Sequence, residues 1–150
     1  MTDQITEKEK IKAKIQPRIY SSNKIKLEDA APLSTPFSVH IDVCSYCNFK
    51  CSFCFQADIL GKKEKEFPHG MMSKKLFKKT VDELNDFFEK IKKIKIGNHG
   101  EPTMHKDLPF FIDYARKSGV AEIIEVFTNG SKLNPELNKQ LVDSGLQRIN

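Results

Sequence analysis

Four cysteines, Cys44, Cys47, Cys51 and Cys54, fall within eleven positions of a chain that has no others. Thiols at this density can join as disulfides, hold zinc or carry an iron-sulfur cluster, and each use needs a different convergence. Structural zinc usually takes two Cys-x-x-Cys pairs roughly a dozen or more residues apart, because the intervening chain must bring two knuckles together tetrahedrally. Here successive thiols are separated by two, three and two residues, a cramped bridge for that purpose. A cubane cluster is larger than one ion, and Cys47, Cys51 and Cys54 would supply three of its four irons from one compact loop. If only those three bind, the fourth iron is an open Lewis-acidic position, which suits a catalyst rather than an electron wire.

Something must hold those thiols, and 150 residues at 39% hydrophobic content suffice for one core. The net charge is +5, but lysines alternate with acids through "TEKEKIKAK", "KKEKEF" and "KKLFKKTVDELNDFFEKIKK". The surplus is therefore spread over solvated faces, and no nucleic-acid partner is expected. The N-terminus lacks an apolar core of signal-peptide length, and no run approaches the roughly 18 apolar residues of a membrane span. A cytoplasmic location without a membrane partner is expected. Thiols stay reduced there, which removes the disulfide framework first.

Residues 1–36 are polar and Lys-rich and end in the Pro-punctuated "AAPLSTPF", an expected N-terminal extension ahead of a domain at 37–150. "FSVHIDV", residues 37–43, has strand length and composition and runs straight into the cysteines. After the charged "LGKKEKEFPHG", Ser73 can cap a helix whose stripe Phe77, Val81, Leu84, Phe88 and Ile91 steps by four, three, four and three. "KIKIGN" reads as a strand ending at Gly97, with the loop "HGEPTMH" beyond it. Asp107, Pro109 and Gly119 bracket a second helix, with Gly119 placed for a left-handed cap. "IIEVF" is a third strand closed by "TNG", "NPELNKQLVDSG" a third helix, and "LQRIN" the start of a fourth strand. Strand and helix alternate three times, so the expected class is α/β with a parallel sheet. Ligands of such folds gather at the C-terminal ends of strands, where the cysteines, "HGEP" and "TNG" stand.

The segment "CNFKCSFC", residues 47–54, resembles the Cys-x3-Cys-x-aromatic-Cys signature of the radical S-adenosylmethionine (radical SAM) superfamily. "HGEP" resembles its Gly-Gly-Glu-Pro motif, with His99 in place of the first glycine, and "TNG" matches its Thr-Asn-Gly. The resemblance implies the first three βα units of a partial (β/α)6 barrel, truncated so that the C-terminal half is absent. It implies two cofactors, a [4Fe-4S] cluster held by Cys47, Cys51 and Cys54, and S-adenosylmethionine chelating the open iron. In that mechanism one electron from the reduced cluster splits the sulfonium, and the resulting 5′-deoxyadenosyl radical takes hydrogen from a substrate. A reducing partner such as flavodoxin or ferredoxin is implied. The substrate, whether peptide, carbohydrate or another small molecule, is not legible.

The same resemblance assigns cofactor-binding roles. Gly100 would let the backbone approach a ligand. Glu101 would offer its carboxylate to the α-ammonium, with Pro102 stiffening the turn behind it. Phe53 would present its ring or backbone to the adenine, and Thr128 and Asn129 polar groups to the methionyl or ribose moiety. Cys44, outside the motif, reads as a small hydrophobe at a strand end. A fourth ligand is the rival reading, and it leads to a non-catalytic iron-sulfur or zinc module using all four cysteines. His40, His69, His99 and His105 are expected to be dispersed polar residues, and Met71 and Met72 packing residues.

Overall fold

The computed structural model describes residues 26–54 and 69–150. Up to Ala31 it shows one helical turn, Leu27–Ala30. Residues Pro32–Asn150 form the larger unit, described by itself below. Residues 32–36, expected in the extension, belong to that unit. Thr35 is buried there, and its hydroxyl accepts from the Glu89 amide at 3.2 Å.

Four parallel strands lie side by side in chain order: β1 (Ser38–Ile41), β2 (Ile91–Ile96), β3 (Ala121–Val126) and β4 (Arg148–Ile149). Helices α1 (Lys74–Glu83), α2 (Leu108–Ser118) and α3 (Pro135–Asp143) connect successive strands. This is the expected α/β alternation, ordered as in the opening part of a (β/α) barrel.

Local chemistry explains where the helices start. Ser73 Oγ accepts from Leu76 N at 3.2 Å and Asn134 Oδ1 from Leu137 N at 2.9 Å, each relieving an amide without an intrahelical partner. Gly119 closes α2 at φ 69°, the left-handed conformation anticipated for it. Period-two patterning then turns Ile41, Ile94, Ile96, Ile124 and Val126 toward the helices. They form one core with Phe77 and Val81 of α1 and Phe111, Ile112 and Ala115 of α2. The rings of Phe77 and Phe111 stack with centroids 4.4 Å apart.

The anticipated helical stripe does not extend to Ile91. α1 ends at Glu83, a 3-10 turn covers Leu84–Asp86, and Phe88 is 92% exposed. Ile91 is buried as the first residue of β2, paired in register with Ala121.

Candidate functional site

Three loops leave the C-terminal ends of β1, β2 and β3, and the chain's own hydrogen bonds tie them together. From the first loop, Asp42 Oδ1 accepts from the His99 amide at 3.1 Å and Oδ2 meets His99 Nδ1 at 2.7 Å. Tyr46 O accepts from the Glu101 amide at 2.8 Å. These contacts bind the cysteine loop to the "HGEP" loop. The third loop reaches back to the first: Asn129 Nδ2 donates to Asn48 Oδ1 at 3.0 Å, and Asn48 Nδ2 to Ser131 Oγ at 2.7 Å.

Glu101 is the hub. Its side chain is 1% exposed, and Oε1 accepts from Thr103 N at 3.0 Å, from Thr128 Oγ1 at 2.5 Å and from the Thr103 hydroxyl. Oε2 accepts from Asn129 N at 2.7 Å. A buried carboxylate is tolerated here because four donors replace its water. The hydroxyl of Thr128 is thereby committed to Glu101 and to Gly130 N, which donates to it at 3.0 Å. Thr128 therefore holds the carboxylate rather than presenting a free group. Glu101→Gln would set an amide N–H against a backbone N–H at whichever oxygen it replaced, and we expect a loss of about 1–3 kcal/mol in a denaturant titration.

The glycine and proline of this loop serve packing. An added Cβ at Gly100 would meet Cys44 O at 2.0 Å, so its bareness admits the backbone of the first loop, while Gly100 also lines the thiol cavity. Pro102 is buried and starts a 3-10 turn, and a Cβ at Gly97 would meet its ring at 2.7 Å.

Within this frame Cys47, Cys51 and Cys54 line a single cavity of about 180 Å³, together with Phe53, Gly100, Glu101, Thr128 and Asn129. Phe53 is 90% exposed and stands at the rim. Phe49 N donates to Cys47 Sγ at 3.4 Å, and Asn129 Nδ2 does so at 3.8 Å, polar contacts of the kind that orient a thiolate and stabilise its charge. Three thiols on one cavity are a donor set that an iron-sulfur cluster can use.

Cys44 lies elsewhere. It is 1% exposed, belongs to the core cluster, pairs across a bridge with Met71 and donates its thiol to Tyr46 O at 3.5 Å. Burial pushes its pKa up; a backbone hydrogen bond at Tyr46 offsets part of this, and the proximity of Glu101 and Cys47 raises it further. A thiol held protonated is a poor metal ligand.

The four histidines are dispersed. His40 is on β1, and His69 stacks on Tyr46 at 5.3 Å with Nδ1 3.0 Å from Ser45 O. His99 pairs with Asp42, and His105 is buried, its Nε2 donating to Met72 O at 3.0 Å. Met72 packs against the core, whereas Met71 is half exposed. Sequence alone does not single out Asp42, Asn48 and Ser131; Asp42 directly follows β1 and Asn48 sits inside the cysteine run, the only local signals they carry.

Residues 41–150 match the Radical SAM superfamily. The chain belongs to that superfamily, whose members use a [4Fe-4S] cluster and S-adenosylmethionine. It is 34% identical over 114 residues to the tungsten-containing aldehyde ferredoxin oxidoreductase cofactor-modifying protein of Pyrococcus furiosus, a match covering 74% of this chain and 29% of that protein. It is 34% identical over 114 residues to a probable GTP 3',8-cyclase of Methanococcus maripaludis, covering 75% and 35%. The chain thus spans about a third or less of the length of these relatives. A crystal structure of BtrN in complex with AdoMet and 2-DOIA superposes with a TM-score of 0.63 at 25% identity, over 76% of this chain and 44% of BtrN. Among the described residues no helix is long and apolar enough to cross a membrane.

Proposed function

We propose that this chain forms the cluster- and cofactor-binding part of a radical SAM enzyme. In this reading Cys47, Cys51 and Cys54 hold a [4Fe-4S] cluster, and the "HGEP" and "TNG" loops hold S-adenosylmethionine beside it. When bound, the pair would supply radical chemistry: with an electron from the reduced cluster, reductive cleavage of S-adenosylmethionine would give the species that takes hydrogen from a substrate. The reductant would be a small electron carrier such as a flavodoxin or ferredoxin. The observation that carries this reading is the cavity itself, in which the three motif thiols meet Phe53, Glu101 and Asn129 while Cys44 is packed into the core.

The chain's own contribution is orientation. Glu101 Oε1 accepts three hydrogen bonds and Oε2 only one, so a lone-pair direction on Oε2 remains for the cofactor's α-ammonium. Thr128 and the Asn129 amide act through Glu101, fixing the plane of its carboxylate. Phe53 offers an exposed ring to the adenine. Asn129, donating to both Asn48 and Cys47, ties the third loop to a cluster ligand.

Anaerobic reconstitution with iron and sulfide tests the reading. We expect about four irons per chain and an EPR signal from the reduced cluster that changes when S-adenosylmethionine is added. Zinc in place of iron, or a cluster spectrum indifferent to S-adenosylmethionine, would defeat it.

A further inference from the structure

The ionisable residues of the strands themselves take no part in the site described so far. Register sets four of them in one row: His40 of β1 lies opposite Lys95 of β2, Lys95 opposite Glu125 of β3, and Glu125 opposite Arg148 of β4. Side chains alternate between faces along a strand. The neighbours of this row, Ile41, Ile94, Ile96, Ile124 and Val126, pack into the core with the helices, so the row belongs to the other face of the sheet.

Glu125 is 2% exposed and has Arg148 Nη1 at 3.5 Å. Arg148 supplies the counter-charge that offsets the burial of this carboxylate. On the helix face, Lys92 pairs with Glu122 at 2.6 Å. Among the described residues no ion pair includes Lys93 or Lys95, although both are half-buried. Lys95 leaves its in-register acid to Arg148 and carries its ammonium over the ring of Phe127, 5.7 Å from the centroid. Phe127 lines the cavity that contains the three thiols. A partly desolvated ammonium next to that cavity, with no acid assigned to it, gains most from an anion arriving with a ligand.

We propose that Lys95, with Lys93 one step below it on the same face, binds an anionic group of a small-molecule substrate, a carboxylate or a phosphate, and so holds that substrate below the cluster cysteines. This rests on the reading of the cavity as the radical site. A small molecule fits better than a nucleic acid, because both lysines are half-buried in a sheet face rather than displayed on an open surface.

Isothermal titration calorimetry of the anaerobically reconstituted full chain tests it, with inorganic phosphate, acetate and S-adenosylmethionine as separate titrants. We expect saturable binding of phosphate or acetate, weakened about tenfold by Lys95→Gln, the loss of one charge-assisted hydrogen bond. Lys95→Arg should restore most of it, and Lys92→Gln, on the helix face, should leave it unchanged. The inference is overturned if neither anion binds saturably, or if Lys95→Gln and Lys92→Gln bind them equally well. It is also overturned if Lys95→Gln weakens S-adenosylmethionine alone, which would give the lysine to the cofactor's carboxylate. Iron loading without anion binding removes this inference and spares the radical SAM reading; anion binding without iron loading does the reverse.

Discussion

Cys51→Ala is expected to abolish cluster uptake and all cleavage of S-adenosylmethionine, whereas Cys44→Ala keeps both. Three thiolates can hold a cubane only if all three are present, because a vacant second corner exposes the cluster to solvent and to loss of iron. Cys51 lines the cavity with Cys47 and Cys54, and no fifth cysteine exists to replace it. Cys44 instead contributes to the core, and its truncation removes one small buried group at a cost of about 1 kcal/mol. Iron and sulfide analysis after anaerobic reconstitution separates the two variants. Methionine release from S-adenosylmethionine under a chemical reductant provides a second readout. If Cys44→Ala lost its iron as Cys51→Ala does, the three-thiolate assignment would be wrong and a closed four-thiolate site would take its place.

How far the fold was legible depended on whether the signal was local. Ser73, Asn134 with Pro135, and Gly119 mark helix ends because a cap is settled within one turn of chain, and all three act as read. Asp107 does precede α2, but its carboxylate leaves the cap to pair with Lys74 at 3.0 Å, a contact made across sequence by packing. The stripe beyond Val81 misled for a related reason. Helical spacing continued by coincidence through Phe88 to Ile91, while Asn85 bonded back to Asp82 O and the chain left the helix to enter β2. Periodicity counts spacing and cannot tell a helix face from the first residue of the next strand. The two share a burial requirement and differ in backbone.

The candidate site divides along the same line. Motif spacing was sufficient to bring Cys47, Cys51, Cys54, Phe53, Glu101 and Asn129 to one cavity, because each stands just past a strand end and parallel strands deliver their ends to one side. What each residue does there was less accessible. Thr128 reads from sequence as a polar group for the methionyl or ribose moiety, and its hydroxyl lies 2.5 Å from a carboxylate 27 residues away. His99 looked like a departure from a glycine motif, and its meaning came only with Asp42, 57 residues earlier in the chain. Such pairings are set by the docking of loops, which no local pattern encodes.

That docking makes Gly100→Ala the most damaging single-methyl change available in the site. The added carbon would meet Cys44 O at 2.0 Å, Cys44 C at 2.8 Å and Ser45 Cα at 3.0 Å. All three are backbone atoms, so no rotamer change relieves the clash and the two loops must separate. Separation would strain the Glu101 N to Tyr46 O hydrogen bond of 2.8 Å and the Asp42–His99 contacts, and with them the hold on the cysteine loop. We expect a loss of about 3 kcal/mol, at the upper end for overpacking, and a fall in Tm of roughly 10 °C. Cluster uptake should fall with it. Gly70→Ala is the control: Gly70 N donates to Ser45 Oγ at 2.7 Å within the connection that carries the cysteines, but an added Cβ there meets none of the described atoms within 4 Å and should change stability by no more than about 0.5 kcal/mol. Thermal melts of the two variants side by side decide the matter, since equal melting temperatures would mean that the cysteine and "HGEP" loops are not held in contact through Gly100.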